Sequence, residues 1–140
     1  MMREVILSIQ GKQSYPGQEP EVIELVTQGT MEALPNGWEI RYEESDLTGL
    51  AGTTTTFLVE PECVTLTRKG PLSSQMVFRR GVPHESLYQM PFGAMLITVC
   101  AHTLFFELNE QGGTIDLIYA IEIENSAAGT IEYHLDIKAK

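Results

Sequence analysis

The last quarter of the chain alternates apolar and polar residues with a period of two, and that period leaves few architectures open. Ile115, Leu117, Tyr119, Ile121 and Ile123 share one parity, and Asp116, Ile118, Ala120, Glu122 and Glu124 share the other. After a turn expected from Asn125 to Gly129, Ile131, Tyr133, Leu135, Ile137 and Ala139 alternate with Glu132, His134, Asp136 and Lys138. Successive side chains of a strand point to opposite faces, so this is the pattern of an antiparallel pair with one face buried and one in water. Setting Ile123 against Ile131 keeps both apolar rows on one face. A slip of one residue would bury the charges instead.

The same period runs through the middle of the chain. Trp38, Ile40, Tyr42 and Glu44 are expected opposite Val59, Phe57, Thr55 and Thr53, joined by a Gly-containing loop. Val64, Leu66 and Arg68 share a face, and after a turn from Lys69 to Ser73 so do Met76, Phe78 and Arg80. Leu96 to Ala101 reads as a more continuously apolar strand that extends toward Phe106, ahead of a turn at Gln111-Gly112-Gly113. Val22, Ile23, Leu25 and Val26 fit helical spacing as well as a strand, and their β-branched content favours the strand. The stretches from Gly11 to Pro20 and from His84 to Gly93 read as loop or irregular structure. Strands recurring about every ten residues suggest an all-β sandwich or closed barrel, and consecutive hairpins favour the second, a closed up-and-down antiparallel barrel of about eight strands forming a single domain over residues 1–140. Closure also removes the exposed edges that a strand-rich chain must otherwise protect.

Charge narrows the partners. With 9 Lys and Arg against 19 Asp and Glu the chain carries −10, so neither nucleic acid nor an anionic membrane surface is an expected partner. No apolar run reaches the length of a spanning helix. The N-terminal segment reads as a first strand rather than a signal peptide, which places the protein in the cytoplasm as an expectation. Cys63 and Cys100 fall in predicted strands and are read as buried free thiols.

Four consecutive threonines, Thr53 to Thr56, set hydroxyls on both faces of one strand. A strand packed into a dry core would not do so; it is an edge, or one face looks into a wet cavity. By parity, Tyr42, Glu44, Thr53, Thr55, Arg68, Met76, Phe78, Arg80, Tyr119 and Tyr133 point inward with the aliphatics. Apolar walls with a few convergent polar groups are what a small-molecule pocket presents, and Arg68 can hold an anion through its planar fork of donors. The plainer reading is that Glu44 and Arg68 pair at a solvated rim and contribute little, and that the tyrosines are core residues.

Catalytic signatures are absent from the sequence. Glu43 and Glu44 are adjacent on a strand and face opposite ways. Glu122 and Glu124 lie on the polar face. His84, His102 and His134 are scattered, Ser86 lacks a nucleophile-elbow context, and Gly112-Gly113 is a turn with no helix after it. No metal or cofactor is expected.

The order of Gly29, Tyr42-Glu43-Glu44, Arg68-x-Gly70, Met76-x-Phe78, Tyr88-x-x-Pro91-x-Gly93, Ile115-x-Leu117-x-Tyr119, Gly129 and Leu135-x-Ile137 resembles the YwiB-like family of small bacterial proteins. The resemblance covers nearly the whole chain and implies a calycin-type, lipocalin-like barrel. The family has no established activity, so the resemblance brings no catalytic residues, and Phe92 stands where it leads one to expect a tyrosine.

The leading expectation is a binding protein for a small, partly apolar ligand, neutral or anionic, with Tyr42, Glu44, Thr55, Arg68, Phe78 and Tyr119 lining the lumen. The alternative is a solid-packed barrel acting as an interaction module, a homodimer through an outer face that carries Ile118 and Ala120. An enzyme using Glu44 as a base near Arg68 ranks last.

Overall fold

The computed structural model describes residues 2–45, 51–71 and 73–140, the side chains of Met90 and Ala127 excepted. Parts of the turns expected after Glu44 and after Lys69 lie outside the described residues. Among the described residues ten strands follow one another: β1 (Met2–Ser14), β2 (Glu21–Leu34), β3 (Gly37–Glu43), β4 (Thr54–Glu60), β5 (Cys63–Lys69), β6 (Ser74–Phe78), β7 (Pro83–Met90), β8 (Gly93–Asn109), β9 (Gly112–Ile123) and β10 (Ser126–Ala139). Among the described residues no helix is long and apolar enough to cross a membrane.

The strands form one antiparallel sheet in the order β6-β5-β4-β3-β2-β1-β10-β9-β8-β7. Sequence neighbours pair as hairpins, and β1 pairs with β10 from Val5↔Ala139 to Ser14↔Thr130. The remaining seam therefore falls in the middle of the chain, between β6 and β7. Ser73 and Gln89 bridge it with two backbone hydrogen bonds of 2.9 and 2.8 Å, and the Val77 N–H donates to His84 Nδ1 at 3.3 Å. The barrel is thus nearly closed.

Ten strands stand where about eight were expected, because two stretches read as irregular are strands. β1 carries on to Ser14, and Pro83–Met90 is β7, joined to β8 by the tight turn at Pro91 and Phe92. Proline is tolerated there because Pro83 opens its strand and Pro91 sits in the turn. The segment around Val22 and Leu25 belongs to β2: Leu25 is buried, while Val22 and Val26 face out.

The hairpin of β3 and β4 has the expected register, Trp38↔Val59, Ile40↔Phe57 and Tyr42↔Thr55. The last hairpin differs. Ile131 lies opposite Tyr119 and Leu135 opposite Ile115, with Ile123 opposite Ser126. The turn is the pair Glu124 and Asn125, both at positive φ (52° and 66°), and a bulge follows between Ala127 and Gly129. Two left-handed residues match the twist of the flanking strands, so the tight turn is preferred to the longer loop. The displacement is four residues, an even number, so every side chain keeps its predicted face.

A second bulge explains why β8 reads as continuously apolar. Its register shifts between Ala101 and Thr103. Ile97, Val99 and Ala101 are buried before it and Leu104 after it, so inward parity changes from odd to even across His102. Arg80 does not join the inward row with Met76 and Phe78. β6 ends at Phe78, the chain turns, and Arg80 is exposed and donates to the Leu104 carbonyl at 2.9 Å.

The two ends of the lumen are filled differently. At the end holding the termini, Leu7, Ile40, Phe57, Val59, Val64, Leu66, Phe78, Ile115, Leu117 and Leu135 are 0 or 1% exposed. At the opposite end, below the β1–β2, β7–β8 and β9–β10 turns, the same inward rows enclose a cavity of about 300 Å³. Leu117→Ala at the packed end is expected to cost about 2–5 kcal/mol, the usual range for a core cavity. Ile121→Ala, on the same strand but beside the existing cavity, should cost clearly less. Chemical denaturation of both variants measures the contrast.

Candidate functional site

The hollow end of the barrel collects the polar groups that the sequence scatters. All five tyrosines of the chain, Tyr15, Tyr42, Tyr88, Tyr119 and Tyr133, line the cavity. Glu44 and Arg68 join them, and Ile9, Ile23, Leu25, Ile97, Ile121, Ile123, Ile131, Met76 and Met95 supply apolar wall. Tyr15, Tyr88 and Tyr133 are only partly buried, so the cavity approaches solvent at that rim.

Register builds the polar wall. Tyr42 pairs with Thr55, Thr55 with Arg68, and Arg68 with Ser74, one row across β3, β4, β5 and β6. The next row outward begins with Glu44, whose N–H donates to the Thr53 carbonyl at 2.8 Å. Cross-strand neighbours on one face lie within side-chain reach, and here the two rows interlock. Thr55 Oγ1 donates to Glu44 Oε2 at 2.5 Å. Arg68 Nε stands 3.9 Å from the same oxygen, an ion pair without a direct hydrogen bond. Arg68 Nη2 donates to the Tyr133 hydroxyl at 2.9 Å, across the barrel from β5 to β10.

This pair is not at a solvated rim. The Arg68 and Glu44 side chains are 9% and 1% exposed. Burial alone would lower the Arg68 pKa, but its interactions with Tyr133, Tyr119, Tyr42 and Tyr88 more than offset that, and the guanidinium stays cationic. Burial raises Tyr42 and Tyr119 above the ordinary phenol value, with Glu44 adding to the shift at Tyr42 and Tyr133 at Tyr119. Burial raises Tyr88 as well. These phenols keep their protons near neutral pH and serve as O–H donors.

Of the six residues expected to line the lumen, Tyr42, Glu44, Arg68 and Tyr119 line the cavity. Thr55 is fully buried behind it, holding Glu44, and Phe78 packs against Tyr119 with ring centroids 4.6 Å apart. Both support the wall without forming it. Tyr15 and Tyr88 escape the sequence pattern because the first falls in a stretch that reads as loop and the second in one that reads as irregular. Ile23, Leu25 and Met95 also belong to the wall.

Thr53 and Thr55 are buried, whereas Thr54 faces out and donates to the exposed Glu43. Phe92 is 86% exposed in the β7–β8 turn, away from the cavity. Cys63 is buried and Cys100 partly buried, and they do not pair with each other. Among the described residues no group of three His, Cys, Asp or Glu is placed to hold a metal. His134 lies on the outer face between Asp116 at 2.5 Å and Asp136 at 3.1 Å.

The fold and its cavity define a class: a small up-and-down antiparallel β-barrel with one end packed and one end open around a guanidinium and phenols. Residues 7–137 match the family described as Domain of unknown function (DUF1934), and the chain belongs to that family. Among solved structures it is similar to the crystal structure of the ywiB protein from Bacillus subtilis, with a TM-score of 0.83 and 21% identity over 96% of this chain and 92% of that one. That likeness is one of fold, and it agrees with the YwiB-like resemblance in the sequence. No curated protein matches.

Thr55→Val, close in shape, removes a buried hydrogen bond from Glu44 and is expected to cost about 1–2 kcal/mol in denaturant unfolding. His134 gives a pH signature. Its pKa is raised, chiefly by the hydrogen bond to Asp116, so the folded state binds its proton more tightly than the unfolded state. That stability is present below the unfolded value near 6.5 and is lost as pH rises through the folded value. His134 is largely solvated, so the effect is small. Unfolding midpoints measured from pH 6 to 9 should fall in the parent protein and fall less in Asp116→Asn.

Proposed function

We propose that this protein binds a small, partly apolar ligand in the hollow end of its barrel. One observation carries the reading: a guanidinium nine-tenths buried stands in the wall of a ligand-sized cavity and makes one hydrogen bond among the described residues, out of five donors. Burying such a group is costly unless its donors are met. A bound ligand with acceptor atoms meets them. The cavity volume, about 300 Å³, falls at the lower end of the range for small-molecule sites, roughly 300–1,000 Å³. The mixture of aliphatic wall, thioethers and phenols suits a ligand with an apolar body and a polar end. The calycin-type likeness expected from the sequence supports the same use of the lumen.

The reading is of a binding protein in the cytoplasm rather than an enzyme. Glu44 and Arg68 do lie together, but the Glu44 carboxylate is engaged by Thr55 and Tyr42, an arrangement that suits positioning the guanidinium better than abstracting a proton. The two thiols that do not pair support a reducing compartment.

A second reading rests on the outer face. Val22, Val26 and Phe105 are 60, 70 and 51% exposed, and Val22 and Phe105 flank a shallow groove with Ile118. Exposed apolar patches mark association surfaces, so a homodimer through this face is the alternative use of the fold.

Protein purified gently from its host and measured by native mass spectrometry is expected to carry a small molecule that Arg68→Met loses. Repeated recovery of the bare mass would count against a lumen ligand. Sedimentation at high concentration tests the outer face: a clean monomer removes the dimer reading.

A further inference from the structure

Resting on the lumen-binding reading, we infer that the ligand's polar end is a single carboxylate received by Arg68, on a compact apolar body. Three buried side-chain atoms have no hydrogen-bond partner among the described residues: Thr53 Oγ1, Arg68 Nε and Ser74 Oγ. They fall in one corner. Ser74 and Arg68 are cross-strand partners, and Thr53 lies beside Glu44 in the adjoining row. Buried polar groups are nearly always satisfied, so a cluster of exceptions asks for an explanation. Of the three residues Arg68 alone lines the cavity, with Thr53 and Ser74 buried behind it; the guanidinium turns its hydrogens toward the lumen side of this corner, and the phenol of Tyr119 in the cavity wall is a donor too. The corner is rich in donors, and the complementary group is rich in acceptors. A carboxylate offers about four acceptor sites and matches the guanidinium fork.

Charge limits the group to one negative charge. Arg68 is the sole cationic side chain lining the cavity among the described residues, and Glu44 stands 3.9 Å from it. A dianion would add two negative charges where one positive charge already faces a carboxylate. In a water-poor site that excess is expensive. An ammonium group would meet the guanidinium as a like charge.

Volume limits the body. A 150 Å³ apolar cavity takes a benzene ring, so about twice that volume takes a ligand on the order of ten non-hydrogen atoms. The nine Ile, Leu and Met side chains of the wall suit such a body, and the flexible thioethers of Met76 and Met95 can adapt to either an aliphatic or a small aromatic shape.

The test is a series with one body and four ends. Isothermal titration at pH 7.5 of the full chain with octanoate, 1-octanol, octylamine and octyl phosphate is expected to rank octanoate first by about tenfold or more, the worth of one charge-assisted hydrogen bond. In the variant Arg68→Met with Glu44→Gln, which leaves no unpaired charge in the wall, octanoate should lose about tenfold to a hundredfold while octanol is unchanged. Octanol binding as tightly as octanoate would overturn the carboxylate inference and leave the lumen reading intact. Octyl phosphate binding more tightly would overturn the limit to one charge. Absence of binding by all four, with no small molecule in the native mass spectrum, would overturn the lumen reading itself. If the double variant fails to fold, the ranking on the parent protein decides alone.

Discussion

Closure of the sheet by β1 against β10 is the constraint from which the rest follows. Once the two ends of the chain are hydrogen-bonded side by side, every strand has neighbours on both sides except at the β6–β7 seam, where Ser73, Gln89 and His84 complete the contact. The inward residues are then committed to one enclosed space. Its width is set by the number and tilt of the strands and not by any local preference. Ten strands make a lumen that Phe57, Phe78 and the aliphatics fill at one end and that tyrosines and isoleucines only line at the other.

Within that space the Arg68–Glu44 pair has the highest energetic stakes. Two charged groups this deeply buried lose most of their hydration, and a 3.9 Å separation returns only part of it. The surroundings reduce the cost. Thr55 and Tyr42 hold Glu44, and Tyr133 takes one guanidinium donor from across the barrel. The buried side-chain atoms left without a partner among the described residues are Arg68 Nε, Ser74 Oγ on the neighbouring strand and Thr53 Oγ1 beside Glu44. A barrel built only for stability would do as well or better with apolar residues at these positions, and the proposed ligand gives the polar ones a use.

Much of this was legible in the strand pattern. Tyr42, Glu44, Thr53, Thr55, Arg68, Phe78 and Tyr119 were placed on the inner face by parity, and all are buried. Parity works because a strand has only two faces and a one-residue error moves charges into the core. It fails where the chain departs from plain extension. The left-handed pair Glu124 and Asn125 shifts the register of the last hairpin by four residues, the bulge at His102 exchanges inner and outer positions along β8, and the turn after Phe78 carries Arg80 to the surface. Tyr15 and Tyr88 were hidden in segments whose prolines and glycines read as loop, although a chain with five tyrosines and a hydroxyl-rich strand gave a hint that its phenols would gather.

The sequence by itself determined that this chain is an antiparallel all-β barrel and, wherever the strands run without a bulge or turn, which residues look inward, because alternation with a closed hydrogen-bond ladder admits few other solutions. Only the tertiary structure decided that the barrel has ten strands, that one end is solid and the other hollow, and that Arg68, Glu44 and five tyrosines share one cavity. Those facts depend on how side chains from strands far apart in sequence fill a common volume. No local pattern encodes that volume, since it is a sum over strands that meet only when the barrel closes.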